Sequence, residues 1–194
     1  MKPQTRRSVL ALAATLSVVA LIAVFYGRLF TPVHRAAPPP PQSLAKLKWA
    51  AAPKVIPTVT FSDGTGRTHQ LSEFRGHYVL MNLWATWCAP CVKELPALAG
   101  LRRALANGRL VVIAVSVDRD DTAEISKFLI THRAGSLPVY RDVNMAFLHA
   151  FGAFGLPLTV LVDPRGREVA RATGAVPWDD ADTVAYFRGM AGKR

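Results

Sequence analysis

The sequence predicts an α/β domain: a central mixed sheet flanked by helices, opened by an N-terminal β-hairpin extension and preceded by one transmembrane helix. Three observations lead there. Short apolar runs alternate with stretches of helical periodicity, the pattern of a sheet covered on both faces. The two cysteines of the chain, Cys88 and Cys91, share one phrase at a strand-to-helix junction. Ser8 to Tyr26 is a run of nineteen residues without a charge.

At about 1.5 Å per residue the uncharged run spans roughly 29 Å, close to the hydrocarbon thickness of a bilayer. A secretory core is normally about 7–15 residues long with small residues at a nearby cleavage site. Here the run closes on Phe25-Tyr26-Gly27-Arg28, which favours an uncleaved anchor. Thr5-Arg6-Arg7-Ser8-Val9-Leu10 also resembles a twin-arginine export signal, but the plainer reading is the positive flank of an anchor. No cysteine follows the run closely, which excludes lipoprotein processing. Lys2, Arg6, Arg7 and the amino terminus outweigh Arg28 and Arg35, so residues 1–30 are expected to place the N-terminus in the cytoplasm and the rest outside. Residues 31–54 contain Pro38-Pro39-Pro40-Pro41 and read as a stiff polyproline spacer. The folded domain is expected over residues 55–194.

Within that domain, Pro57 to Phe61 and Thr68 to Leu71, split by Asp63-Gly64-Thr65-Gly66, predict a hairpin. Tyr78 to Ala85 is an apolar run typical of a strand buried on both faces. From Cys88 to Ala106 the pattern is helical; Pro90 is tolerated in the first turn, Pro96 is expected to kink the helix, and Asn107-Gly108 ends it. Leu110 to Val117 is the next strand, and a helix follows Asp120-Asp121 as far as Arg133. Val139-Tyr140 reads as a short strand and Met145 to Phe151 as a short helix. Leu158 to Val162 and Glu168 to Thr173 are strands joined by Asp163-Pro164-Arg165-Gly166, and a last helix runs from Asp179 to Met190.

The net charge is +11, but seven of the 24 Lys and Arg precede residue 54, where there is no Asp or Glu. The remainder, 17 basic against 13 acidic residues, carries only +4. No basic stripe interleaved with aromatics is present to track phosphates, so nucleic acid is not an expected partner.

The cysteine phrase Asn82-Leu83-Trp84-Ala85-Thr86-Trp87-Cys88-Ala89-Pro90-Cys91 places Cys88 at the first turn of a helix. Unpaired N–H groups and the helix dipole favour an anion there, and the thiolate is the form that attacks disulfides. Two intervening residues let Cys91 close a small ring with Cys88, which suits thiol–disulfide exchange. Other readings compete. A structural disulfide closing so short a loop removes little unfolded-state entropy. A zinc site needs about four ligands, whereas His34, His69, His77, His132 and His149 are scattered and read as surface or packing residues. A copper carrier is the more serious rival, because thiolates hold copper, although copper-delivery relatives of such folds show a wider cysteine spacing and a partnering His.

Phe74-Arg75-Gly76, Leu83 to Cys91, Lys93-Glu94-Leu95-Pro96 and Gly155-Leu156-Pro157-Leu158-Thr159 with Val160-Leu161-Val162-Asp163 together resemble the TlpA/ResA-like thioredoxins of bacterial envelopes. The resemblance covers residues 55 to 190. It implies a thioredoxin fold and a membrane-anchored thiol–disulfide oxidoreductase of the inner membrane, with its domain in the periplasm and no cofactor or metal. Cys88 would be the exposed attacking thiol and Cys91 the buried resolving thiol. Pro157 would be a cis-proline facing the disulfide, with Leu156 offering backbone hydrogen bonds to an extended client. Trp87 is expected to touch clients, Trp84 to pack, and Gly174 and Ala175 to border the same surface or simply form a turn.

Asn82 departs from thioredoxins proper, which carry a buried acid at this position. An amide cannot titrate, and Glu94 is expected to take over, because a helix puts it on the same face as Cys91 three residues earlier. That shared face implies a partly buried carboxyl with a raised pKa. A dithiol near −270 mV in a periplasm oxidised by a couple near −120 mV favours its disulfide by about 7 kcal/mol. A reductase there needs a dedicated electron supply, and the resemblance implies a transmembrane thiol reductase. It also implies apocytochrome c or copper-insertion proteins of cytochrome oxidase as clients. The phrase at Pro157 lacks the glutamate expected of the cytochrome-maturation branch, which tilts the reading toward the general or copper-related one. A peroxiredoxin-like peroxidase is a further alternative, although Ala85 stands where such enzymes place a Thr.

Overall fold

The computed structural model describes residues 39–192 apart from Asn107. The expected anchor over Ser8–Tyr26 lies outside the described residues; among those described, no helix is long and apolar enough to cross a membrane.

β4 (Tyr78–Trp84) is the axis of the fold and is buried from Val79 onward, as its apolar run on both faces requires. It pairs in parallel with β5 (Leu110–Ser116), from Tyr78 opposite Leu110 to Trp84 opposite Ser116. On its other side it runs antiparallel to β7 (Leu158–Val162), which pairs in turn with β8 (Arg167–Thr173). Beyond β5 lie β6 (Tyr140–Arg141) and the hairpin of β2 (Thr60–Asp63) and β3 (Thr68–Gln70). With β1 (Lys48–Val55) at the far edge, the described sheet has eight strands in the order β1-β8-β7-β4-β5-β6-β2-β3. This is a thioredoxin-type mixed sheet extended by a hairpin at one edge and an extra strand at the other.

The helices are α1 (Ala89–Ala104), α2 (Thr122–Thr131), α3 (Ala146–Ala150) and α4 (Ala181–Ala191). α2 starts at Asp121, whose carboxylate accepts from the Glu124 N–H at 2.8 Å, the usual device for satisfying an orphan donor. α1 continues through Pro96, so the missing N–H there does not end it. Its apolar face buries Leu95, Leu98 and Leu101 completely. Each such side chain contributes about 1.5–3 kcal/mol over leaving it in water. Trp178 of the turn that precedes α4 and Phe187 of α4, also fully buried, pack with ring centroids 6.4 Å apart.

The expected spacer over residues 31–54 is corrected in its second half, and the domain begins earlier than residue 55. Gln42–Leu44 forms a helical turn, Leu44 and Leu47 enter the core, and Lys48–Val55 is the strand β1, antiparallel to β8. Ser43 and Thr183 of α4 share a hydrogen bond at 2.8 Å, and Trp49 meets Tyr186 edge-on at 6.4 Å. β1 is an edge strand with nearly all its side chains exposed. Backbone pairing with one neighbour holds it, and Pro53 is tolerated because an edge has a free side. The predicted hairpin also shifts: its first strand starts at Thr60, and Leu71 opens a helical turn through Phe74.

Candidate redox site

The site is built where β4 ends. The strand delivers Asn82 into the interior, and Ala85 and Thr86 carry the chain to Cys88, the N-cap of α1. Cys88 and Cys91 are joined as a disulfide with Cα atoms 5.2 Å apart. The Cys91 N–H points at the Cys88 sulfur, 3.3 Å away. A helix-terminal donor aimed at this sulfur favours negative charge on it.

The expectation that Cys88 is exposed is corrected: it keeps 6% of its surface, whereas Cys91 keeps none. Cys88 sits between the buried run Leu83, Trp84 and Ala85 at the end of β4 and the exposed Ala89 and Pro90 that open α1. Of the two sulfur-bearing residues, Cys88 alone retains access to solvent. Trp87 is 66% exposed, while Trp84 is a buried packing residue.

The peptide bond between Leu156 and Pro157 is cis. Pro157 is buried and Leu156 half-buried at the start of β7, and the Pro157 carbonyl accepts from the Gly174 N–H at 2.9 Å. Gly174 has φ +84°, a conformation natural to glycine. This bond ties the cis-proline loop to the turn after β8, so Pro157 and Gly174 are neighbours.

Glu94, on α1 three residues after Cys91, is only 3% exposed. Its Oε1 accepts from Asn82 Nδ2 at 2.7 Å; its Oε2 accepts from the Val176 N–H at 3.0 Å and the Trp178 indole N–H at 3.1 Å. Burial pushes the carboxyl above its ordinary value, opposed by the hydrogen bonds from Val176, Asn82 and Trp178 and by the charge of Lys46. The β4–β7 register sets Asn82 opposite Thr159, and Asn82 Nδ2 also donates to Thr159 Oγ1 at 2.9 Å. Asn82 therefore orients the acid, and its own Oδ1 is left without a partner. The arrangement can hold or release one proton at a single buried carboxyl on the face of α1 that bears Cys91.

Sequence reasoning missed a second buried acid. Parallel pairing of Trp84 with Ser116 brings the chain two residues further on, at Thr86 and Asp118, side by side. Asp118 accepts from the Thr86 N–H at 2.9 Å, from Thr86 Oγ1 at 2.9 Å and from Ser116 Oγ at 2.7 Å. It pins the turn that leads into Cys88, across 32 residues of sequence that hold no local signal.

Away from the disulfide, His69 is held between two carboxylates, with Nε2 2.8 Å from Asp63 Oδ2 and Nδ1 2.9 Å from Glu73 Oε2. Both raise the affinity of His69 for its proton, Asp63 first. This clamp closes the β2–β3 hairpin. Among the described residues no group of three or more His, Cys, Asp or Glu is placed to hold a metal ion.

A cysteine pair at the N-terminus of the helix that follows β4, with a cis-proline opening the strand β7 paired to β4, on this sheet, defines a thioredoxin-fold thiol–disulfide oxidoreductase. Residues 53–176 match the AhpC/TSA family, and the chain belongs to it. It is 32% identical over 131 residues to thiol-disulfide oxidoreductase ResA of Geobacillus thermodenitrificans, covering 67% of this chain and 74% of that one. To ResA of Bacillus subtilis it is 31% identical over 120 residues, covering 62% and 66%. Among solved structures, a putative thiol:disulfide interchange protein DsbE from Chlorobium tepidum superposes with a TM-score of 0.62 at 25% identity, covering 72% of this chain and 97% of that one.

Proposed function

We propose that this chain reduces disulfides of client proteins in the bacterial periplasm, held at the inner membrane by Ser8–Tyr26 and supplied with electrons by a transmembrane thiol reductase. The supporting observation is one sulfur that retains access joined to one enclosed sulfur, with a buried, titratable carboxyl three residues further along the same helix. The Cys88 thiolate attacks a client disulfide; one client sulfur leaves as a thiolate and the other stays bound to Cys88. The Cys91 thiol passes its proton to Glu94 and its sulfur attacks Cys88, expelling the second client sulfur. The client gains two electrons, and the Cys88–Cys91 disulfide of this structure is the product. Trp87, Leu156, Pro157 and Gly174 form the surface on which an extended client segment lies. Apocytochrome c and copper-insertion proteins of cytochrome oxidase are the client classes proposed.

The test is trapping. A Cys91→Ala variant of the full chain lacks the resolving thiol and should accumulate mixed disulfides through Cys88 with specific envelope proteins. Absence of any such adduct, while Cys88 still reacts with a small disulfide, rules out protein clients.

A further inference from the structure

The turn after β8 makes three consecutive attachments. The Gly174 N–H donates to the cis-proline carbonyl at 2.9 Å, the Ala175 carbonyl accepts from Lys46 Nζ at 2.9 Å, and the Val176 N–H donates to Glu94 Oε2 at 3.0 Å. The last two belong to one peptide group. The Lys46 ammonium, the Ala175–Val176 peptide and the Glu94 carboxylate therefore form a continuous line, cation to amide to acid. A cation on a carbonyl polarises its peptide and strengthens the bond its N–H makes on the other side.

Lys46 comes from the segment between the Gln42–Leu44 turn and β1, 129 residues from Ala175 in sequence. Its backbone is anchored by the flanking side chains Leu44 and Leu47, buried to 1% and 3%, which brings its exposed side chain within reach of the turn. The groups facing Glu94 are few. Asn82 of β4 is neutral, as are the Val176 N–H and the Trp178 indole of the turn before α4; Cys91 lies on the same helix. Lys46 supplies the cationic charge that acts on this carboxyl.

We propose that Lys46 is a positioning residue for Glu94, holding it through the Ala175–Val176 peptide in the charged form that receives the Cys91 proton. The receiving step rests on the function proposed above; the action of Lys46 on Glu94 does not. It gives the segment that leads out of the proposed membrane tether a direct hold on the chemistry. Detachment of that segment would weaken the acid's grip on its charged state and slow the second half of each turnover at neutral pH.

The experiment uses the full chain with carbonyl-labelled glutamate, comparing wild type with Lys46→Met and Lys46→Arg. Infrared difference spectra against pH follow the protonated carboxyl band, assigned to Glu94 by its loss in Glu94→Gln. Lys46→Met should move the midpoint of that band to higher pH, a two- to three-fold change in proton affinity, roughly the reach of one partly screened charge. Lys46→Arg should restore the wild-type midpoint. The rate of the resolving step against pH is measured in parallel and should move by the same amount. An unmoved infrared midpoint in Lys46→Met, with melting temperature unchanged, overturns the inference. A moved infrared midpoint with an unmoved kinetic one supports the hold of Lys46 on Glu94 and instead overturns the role of Glu94 as acceptor for Cys91.

Discussion

Replacing Glu94 by Gln isolates the proton from the packing. In the wild-type site Oε2 takes two donors and Oε1 takes one. A glutamine oxygen at the Oε2 position still accepts from Val176 and Trp178, while its NH2 confronts the Asn82 NH2. Turning over the Asn82 amide relieves this, because its unpartnered oxygen then accepts from Gln and from the Thr159 hydroxyl. One unsatisfied polar group remains, as in the wild type, so stability should change by less than about 1 kcal/mol. Glu94→Ala, in contrast, strands three buried donors around a void and should cost about 3–5 kcal/mol. With its fold intact, Glu94→Gln should slow the resolving step on the order of 100-fold, the scale of a lost general base, and leave the first attack within a factor of about two. Rapid acid quench with a disulfide peptide separates the two steps. Equal slowing of both, or a resolving step that keeps its wild-type rate and pH dependence, refutes the reasoning. The same variant carries an equilibrium signature. The folded acid holds its proton above the ordinary value of 4.5, so the native state binds more protons than the unfolded chain as pH rises past that value. Stability is then lost with rising pH through the raised folded value, and Glu94→Gln should flatten this part of the melting curve.

Two further outcomes are expected. Asp118→Ala frees the Thr86 N–H and both hydroxyls that it holds, and should destabilise the fold by about 1–3 kcal/mol. It should also lower the rate of attack by Cys88, read by chemical denaturation and peptide reduction. The His69 clamp contributes stability that is fully present below pH 6.5 and is lost as pH rises through the raised folded value. His69→Gln should abolish that slope in thermal melts.

Much of this was legible because the signals were local. The apolar run Tyr78 to Ala85, Pro90 in the first turn and the acidic residues Asp120-Asp121 and Asp179 ahead of two helices are patterns within a few residues, and each element stands close to its expected place. Glu94 was legible for the same reason, lying three residues from Cys91 on one helix. Its three donors were not, since Asn82, Val176 and Trp178 arrive from two other parts of the chain. β1 escaped because an exposed edge strand has no apolar period, and Trp49-Ala50-Ala51-Ala52-Pro53 reads like the spacer before it. Asp118 and Lys46 escaped because only strand register and tertiary wrapping bring them to Thr86 and Ala175.

Attack on a client disulfide requires Cys88 to be acidified by its place at the head of α1. The direct measurement is the alkylation rate of the reduced full chain against pH, with modification at Cys88 confirmed by mass. A midpoint between about 3.5 and 7.5 is the predicted result; a midpoint near 8.5, that of an ordinary thiol, contradicts it.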